Sequence, residues 1–240
     1  MKRILMSSVF SLVLAGAGSA MAGEAVAIST ASNGGSASST AVASGNSRST
    51  AISAATRGGR AEAVSTASAT RGGIADSRAV AMAERGHALA TSNADADAVF
   101  GGFAVSDSES IAATIGGVAV SHSDARSHGL LAGRAASRSI STATSLRGLA
   151  LSDSRAVSRG EFGGDAISHS DALADTVGGV ADSRVRVISD AAFSARAEAN
   201  GVGYAITGRR AVAPTRVIAE SRAVRSSFGS SRAVRVDVSR

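Results

Sequence analysis

The sequence predicts an all-β fold, a parallel β-solenoid or β-roll built of Ala/Ser/Gly-rich repeats of about 15 residues. Three observations predict it. Glycine punctuates the chain at 58–59, 72–73, 86, 101–102, 116–117, 133, 148, 163–164 and 178–179, mostly in steps of 14 or 15 residues. Between these marks four segments share one form: AVSDSES from Ala104, AVSHSDA from Ala119, ALSDSRA from Ala150 and AISHSDA from Ala166. Within a segment the side chains alternate with period two. Ala104, Ser106, Ser108 and Ser110 fall on one face, and Val105, Asp107 and Glu109 on the other. Strict alternation is the strand signature.

Two other readings compete with it. Ala is the best helix former, but recurring glycine, frequent Ser and β-branched residues oppose a helix. Few aromatics and abundant Ser and Gly also suit a disordered chain, and the periodic aliphatics oppose that.

The elements follow in chain order. Residues 1–22 read as a secretory signal peptide. Lys2 and Arg3 form the basic start, residues 4–17 an apolar run, and Ala20-Met21-Ala22 a small-x-small cleavage site. That run is too short to span a bilayer, and nothing later is long and apolar enough to be a transmembrane helix. The expected location is therefore secreted, at the cell surface. Residues 23–57 repeat Ser-Thr-Ala at 29–31, 39–41 and 49–51 and read as an irregular segment or early coils. Residues 58–208 hold the solenoid repeats. A unit of this length cannot bury a core alone, so units must stack, each as one coil of two short strands. Turns are expected at Gly72, Gly73, Gly101, Gly102, Gly116, Gly117, Gly163, Gly164, Gly178 and Gly179, as positive-φ positions. The small face would let two sheets approach closely, with Ser hydroxyls laddering along the axis. Gly201-Val202-Gly203 with Tyr204, the only Tyr, marks a late coil.

The last segment, 209–240, is Arg-rich. It carries eight Arg against Glu220 and Asp237. Lys2 is the only Lys in a chain of formal charge +6. Arg209, Arg210, Arg216, Arg222, Arg225, Arg232 and Arg235 are the candidate docking residues for a surface or anionic polymer, since Arg pairs well with planar anions. The competing role is a solvated edge that discourages coil stacking.

Composition excludes several chemistries. Ala, Ser and Gly are 52, 41 and 27 of 240 residues, and there is no Cys. Disulfide frameworks, Cys-zinc sites and thiol catalysis are thereby removed. SHSD at 121–124 and 168–171 suggests a hydrolase triad, but in a strand His122 and Asp124 share one face while Ser121 and Ser123 share the other. His87, His122, His128 and His169 lack metal-site spacing. The calcium nonapeptide and the P-loop pattern are both unmatched. No enzyme activity, cofactor or metal is expected. Nucleic acid is not an expected partner either, because aromatics to stack on bases are scarce.

The strand-and-glycine periodicity resembles the head repeats of YadA-like trimeric autotransporter adhesins. Ala25-Val26-Ala27-Ile28, Ala119-Val120-Ser121 and Ala166-Ile167-Ser168 carry the resemblance, which spans about 58–200. It implies a small-residue β-solenoid acting in adhesion. No coiled-coil heptads or membrane-barrel strands are found, so the family's anchor and trimer are not implied. Similarity to curli-like fibre subunits lacks their Gln/Asn ladders. The expected function is a secreted structural protein of the cell surface or extracellular matrix, an adhesin or self-associating fibre or biofilm subunit. Its expected partners are itself and an anionic polysaccharide or cell-surface component. The alternative is a monomeric ice- or glycan-binding solenoid, hinted at by Thr30, Thr40 and Thr50.

Overall fold

The computed structural model describes residues 23–32, 35–56, 58–70, 73–99, 103–131, 134–161, 165–177, 179–192, 196–207, 215–224 and 228–239. Residues 1–22, expected to be a signal peptide, lie outside them, as do Gly72, Gly101, Gly102, Gly163, Gly164, Gly178, Arg209, Arg210 and Arg225. The described chain is all-β. Its strands are β1 (Gly23–Ala31), β2 (Ser36–Ser44), β3 (Ser47–Ala55), β4 (Arg60–Ala69), β5 (Ile74–Glu84), β6 (His87–Val99), β7 (Phe103–Ile115), β8 (Val118–Leu130), β9 (Arg134–Leu146), β10 (Leu149–Gly160), β11 (Ala166–Val177), β12 (Val180–Ala192), β13 (Arg196–Thr207), β14 (Thr215–Val224) and β15 (Phe228–Ser239). Odd strands form one sheet and even strands the other, each ordered along the chain. Every pairing is parallel. The result is a parallel β-solenoid.

The coil differs from the expected one. Each 15-residue unit is a single long strand, and two units make one coil. The coil-to-coil step is therefore 31 residues through the centre: Ala104 pairs Ala135, Ala135 pairs Ala166, and Ala166 pairs Ala197. The other sheet repeats this through Ala119, Ala150 and Ala181. The cause lies in the alternation. Small interior residues run unbroken for the length of a unit, so nothing bends the chain before the glycine. Residues 23–57, read as irregular or as early coils, form β1, β2 and β3 in these same two sheets.

The interior is built almost wholly of small side chains. Alternate residues point inward, and from β1 to β13 the inward register holds only Gly, Ala, Ser, Thr or Val among the described residues. Val185 and Val187 on β12 are the bulkiest buried apolar side chains, and β13, next along the chain, carries Gly201 and Gly203 inward. A buried hydroxyl without a partner costs roughly 1–3 kcal/mol. The serines avoid most of that cost by bonding between sheets. Ser92 donates to the Ser77 carbonyl at 2.6 Å, and Ser108 to that of Ser92 at 2.7 Å. Ser123, Ser139 and Ser154 continue the series at 2.6, 2.8 and 2.8 Å, each to the serine half a coil earlier. Ser170 closes it on the Ser154 hydroxyl at 2.8 Å. A second series runs from Ser110 through Ser121 and Ser141 to Ser152.

One edge of the solenoid turns in two residues, and the two positions obey different rules. The first adopts positive φ: Arg85 at 53°, Gly116 at 73° and Arg147 at 61°. The second is glycine because neighbouring coils approach too closely for a Cβ. A Cβ on Gly117 would overlap the Gly86 carbonyl oxygen and lie 2.9 Å from the carbonyl carbon behind it. Gly86, Gly148 and Gly179 are packed in the same way against Gly59, Gly117 and Gly148. Backbone bonds follow the stack, with Val118 N donating to Gly86 O at 3.0 Å and Leu149 N to Gly117 O at 3.1 Å. The expectation that each glycine pair supplies positive φ therefore needs correcting. At this edge Gly116 does so, while Gly117 and Gly179 serve close approach. At the other edge Gly73 is also packed tightly, against the Asn46 side chain and Ala69.

The strand β15 breaks the interior rule. Its register against β13 sets Arg235 beside Gly203 and Asp237 beside Ala205, so both continue the inward register, although on this last strand both are exposed. They pair with each other, Arg235 Nε donating to Asp237 Oδ2 at 2.7 Å.

Candidate functional site

The outer faces of the two sheets differ in chemistry, and the 31-residue register decides what meets there. On the even sheet the central columns are charged. One column runs His122, Asp153, Arg184, Arg216, and the next Asp124, Arg155, Arg186, Ile218. Arg155, Arg184, Arg186 and Arg216 thus form a block of four cations on β10, β12 and β14. Register partners stand about 4.8 Å apart and the columns about 6.7 Å apart.

Like charges directly opposite on neighbouring strands are destabilising, yet two such pairs stack here, Arg155 on Arg186 and Arg184 on Arg216. Asp182 pairs with Arg184 at 2.9 Å. Among the described residues no acid lies within ion-pair distance of Arg155, Arg186 or Arg216. The Arg155 Nε is buried and has no hydrogen-bond partner. Beside the block is a shallow cleft of about 220 Å³. Val120 and Leu151 supply its apolar part, and His122, Asp153, Asp182 and Arg184 its polar groups. The arrangement suits a polyanion whose charges repeat along the solenoid axis.

The sequence-predicted arginines are only partly gathered. Arg216 joins the block. Arg232 is exposed on the outer face of the odd sheet, where its register partner is Asn200. Arg235 is exposed as well, on the opposite face of β15. Arg222 on β14 is the register partner of Asp190 on β12. A single basic patch on 209–240 is therefore not what the described arginines build, because alternation sends neighbours to opposite faces. The missed residues are Arg155, Arg184 and Arg186. A 31-residue alignment of the chain would have found Arg155 above Arg186.

The SHSD motifs separate as strand geometry requires. Ser121, Ser123, Ser168 and Ser170 are buried inside. His122 lies outside with Asp153, its Nδ1 3.5 Å from Oδ2. His169 Nε2 is 3.0 Å from Asp171 Oδ2. Hydrogen bonding to Asp153 holds the His122 pKa above the ordinary histidine value, against its partial burial. Asp171 raises His169 in the same way. Burial raises Asp95 and Asp107 above the usual carboxylate range. Among the described residues no three His, Asp or Glu side chains cluster as metal ligands.

The threonines do not share a face. Thr30 and Thr50 occupy different columns of the odd sheet, and Thr40 lies on the even sheet. Among the described residues no helix is long and apolar enough to cross a membrane. No known family, curated protein or solved structure matches the chain.

Proposed function

We propose that the chain is a secreted structural protein of the cell surface or extracellular matrix, an adhesin or matrix subunit whose solenoid docks on anionic polymer. The observation that carries this reading is the block of Arg155, Arg184, Arg186 and Arg216 stacked on one rigid face. Parallel ladders fix the spacing of those cations, so an extended polyanion finds several sites at once without ordering a loop. Arg favours carboxylate and sulfate groups through its planar fork. The cleft beside the block offers apolar and hydrogen-bonding surface to a sugar ring. The ice-binding alternative loses its cue, since Thr30, Thr40 and Thr50 form no common row.

The test is calorimetric titration of the full chain with a polyuronate, with a neutral glucan as control. Affinity for the polyuronate is expected to fall steeply between about 50 and about 200 mM salt. The double variant Arg186→Ser, Arg216→Ser is expected to bind at least about 10-fold more weakly, with an unchanged far-UV circular dichroism spectrum. Equal binding of the neutral glucan, or a variant that binds as tightly, would refute the reading.

A further inference from the structure

The outer face of the odd sheet has another chemistry. In register along the axis stand Ile28, Ile52, Val80 and Ile111, a ridge of branched aliphatics. The next column, two residues on in each strand, is Ala54, Met82, Ala113 and Thr144. Beyond it rise Ile115, Leu146 and Val177, all more than a third exposed. The middle column is the floor of an apolar groove of about 600 Å³. Asp175 ends the groove at β11.

Apart from Met82, which stands half-exposed in the floor, a ridge of branched aliphatics lies beside a groove of small residues, and on one face the two are self-complementary. A twofold axis parallel to the solenoid axis, set between the two columns, lays each copy's ridge in the other's groove. Such an interface is isologous, with every strand meeting its own equivalent. We infer that this face is the docking surface for a second copy of the chain, giving a side-by-side dimer.

Area supports a second copy. Three columns are about 20 Å wide and the five strands β1, β3, β5, β7 and β9 about 24 Å high. That covers about 500 Å² per copy and about 1,000 Å² in total, at the lower bound of a biological interface and in the size class of a weak dimer. Charge supports this axis. The outer column of one copy faces the column before the ridge of the other. Glu84 then meets Arg78 of the second copy, Leu146 meets Ile140, and Ile115 lies against Glu109, which is itself paired with Arg78. Among the described residues, Arg78 is ion-paired with Glu109, at 3.4 Å. The axial route is disfavoured at β15, where the inward register presents Arg235 and Asp237.

This inference deepens the structural-protein reading by naming the partner. The test uses sedimentation equilibrium and cysteine cross-linking on the full chain, which has no native Cys. The chain is expected to be dimeric at micromolar concentration. Ala113→Arg, which places a charge on the groove floor, is expected to weaken the dimer at least about 10-fold with unchanged circular dichroism. Thr142→Cys and Thr144→Cys chains are expected to form a disulfide-linked dimer when mixed, and little when either is oxidised alone. A monomeric wild type, an Ala113→Arg chain that stays dimeric, or cross-links equal in all three samples would overturn the inference. Polyuronate titration of Ala113→Arg separates the two proposals. Binding retained by a monomeric variant keeps the docking face apart from the dimer face. Binding lost by the Arg186→Ser, Arg216→Ser dimer removes neither surface from the other.

Discussion

Two neighbouring glycines in one turn provide a sharp test of the solenoid edge. Gly116 sits at φ 73°, and the nearest atom to an added Cβ is the Arg85 Cγ at 4.0 Å. Gly116→Ala therefore meets open space and only the left-handed backbone cost, about 1–2 kcal/mol. Loss of glycine's freedom in the unfolded chain returns about 0.4–1 kcal/mol of that. The net cost is about 0–1.6 kcal/mol, and Arg85 and Arg147 already accept the same conformation. Gly117→Ala meets backbone. Its Cβ would overlap the Gly86 carbonyl group, with the carbon at 2.9 Å against an ordinary contact of about 3.5–4.0 Å. Relieving that overlap pulls two coils apart and breaks the Val118 N to Gly86 O bond, now 3.0 Å. Overpacking strain of about 1–3 kcal/mol and a lost bond of about 1 kcal/mol sum to about 3 kcal/mol. Urea unfolding monitored by circular dichroism measures both variants, and hydrogen exchange at the Val118 amide reports the turn itself. Two variants within about 0.5 kcal/mol of each other would refute the close-approach argument.

The hydroxyl series makes a second contrast. Ser139→Ala removes a donor to Ser123 O and is expected to cost about 0.5–1.5 kcal/mol. Ser106→Ala is expected to be neutral or stabilising, because its buried hydroxyl has no partner although its register neighbours are Ala75 and Ser137. Denaturant midpoints compare the two. His122 and His169 both have raised pKa values in the fold. Their contribution is fully present below about pH 6.5 and is lost as pH rises through the raised values. Stability should therefore fall modestly from about pH 6 to about pH 8, less so at high salt, and the double variant His122→Gln, His169→Gln should flatten that slope. The double variant Arg235→Ala, Asp237→Ala makes the β15 inward register small throughout. Electron microscopy should then show end-to-end association that the wild type lacks, and particles of unchanged length would count against β15 as a barrier.

Much of this architecture is written in the local pattern. Alternation around Ala104 and Ala119 gives the strands, and the small residues at alternate positions give the interior and its serine bonds. Coil size is not local. Whether a 15-residue unit bends in its middle depends on packing against the opposite sheet, which alternation does not encode. The glycine roles also escaped, because positive φ and lack of space both select glycine. Only Arg85 and Arg147, at the first position of equivalent turns, separate the two causes. Outer-face chemistry was least legible. Arg155 and Arg186 are 31 residues apart, as are Val80 and Ile111, and each pair becomes a column only once the coil length is known. The basic run 209–240 drew attention by density, yet Arg232 and Arg235 diverge because they are separated by an odd number of positions.

The bulge-free 31-residue step has a consequence for how such a molecule changes size. Excising or duplicating one such block, for example 104–134, brings equivalent positions back into partnership across the junction. Reach then becomes a counted quantity, altered by one strand spacing of about 4.8 Å at a time. Genetic slippage in a tract this repetitive would lengthen or shorten the rod and leave unchanged which positions face inward and which outward.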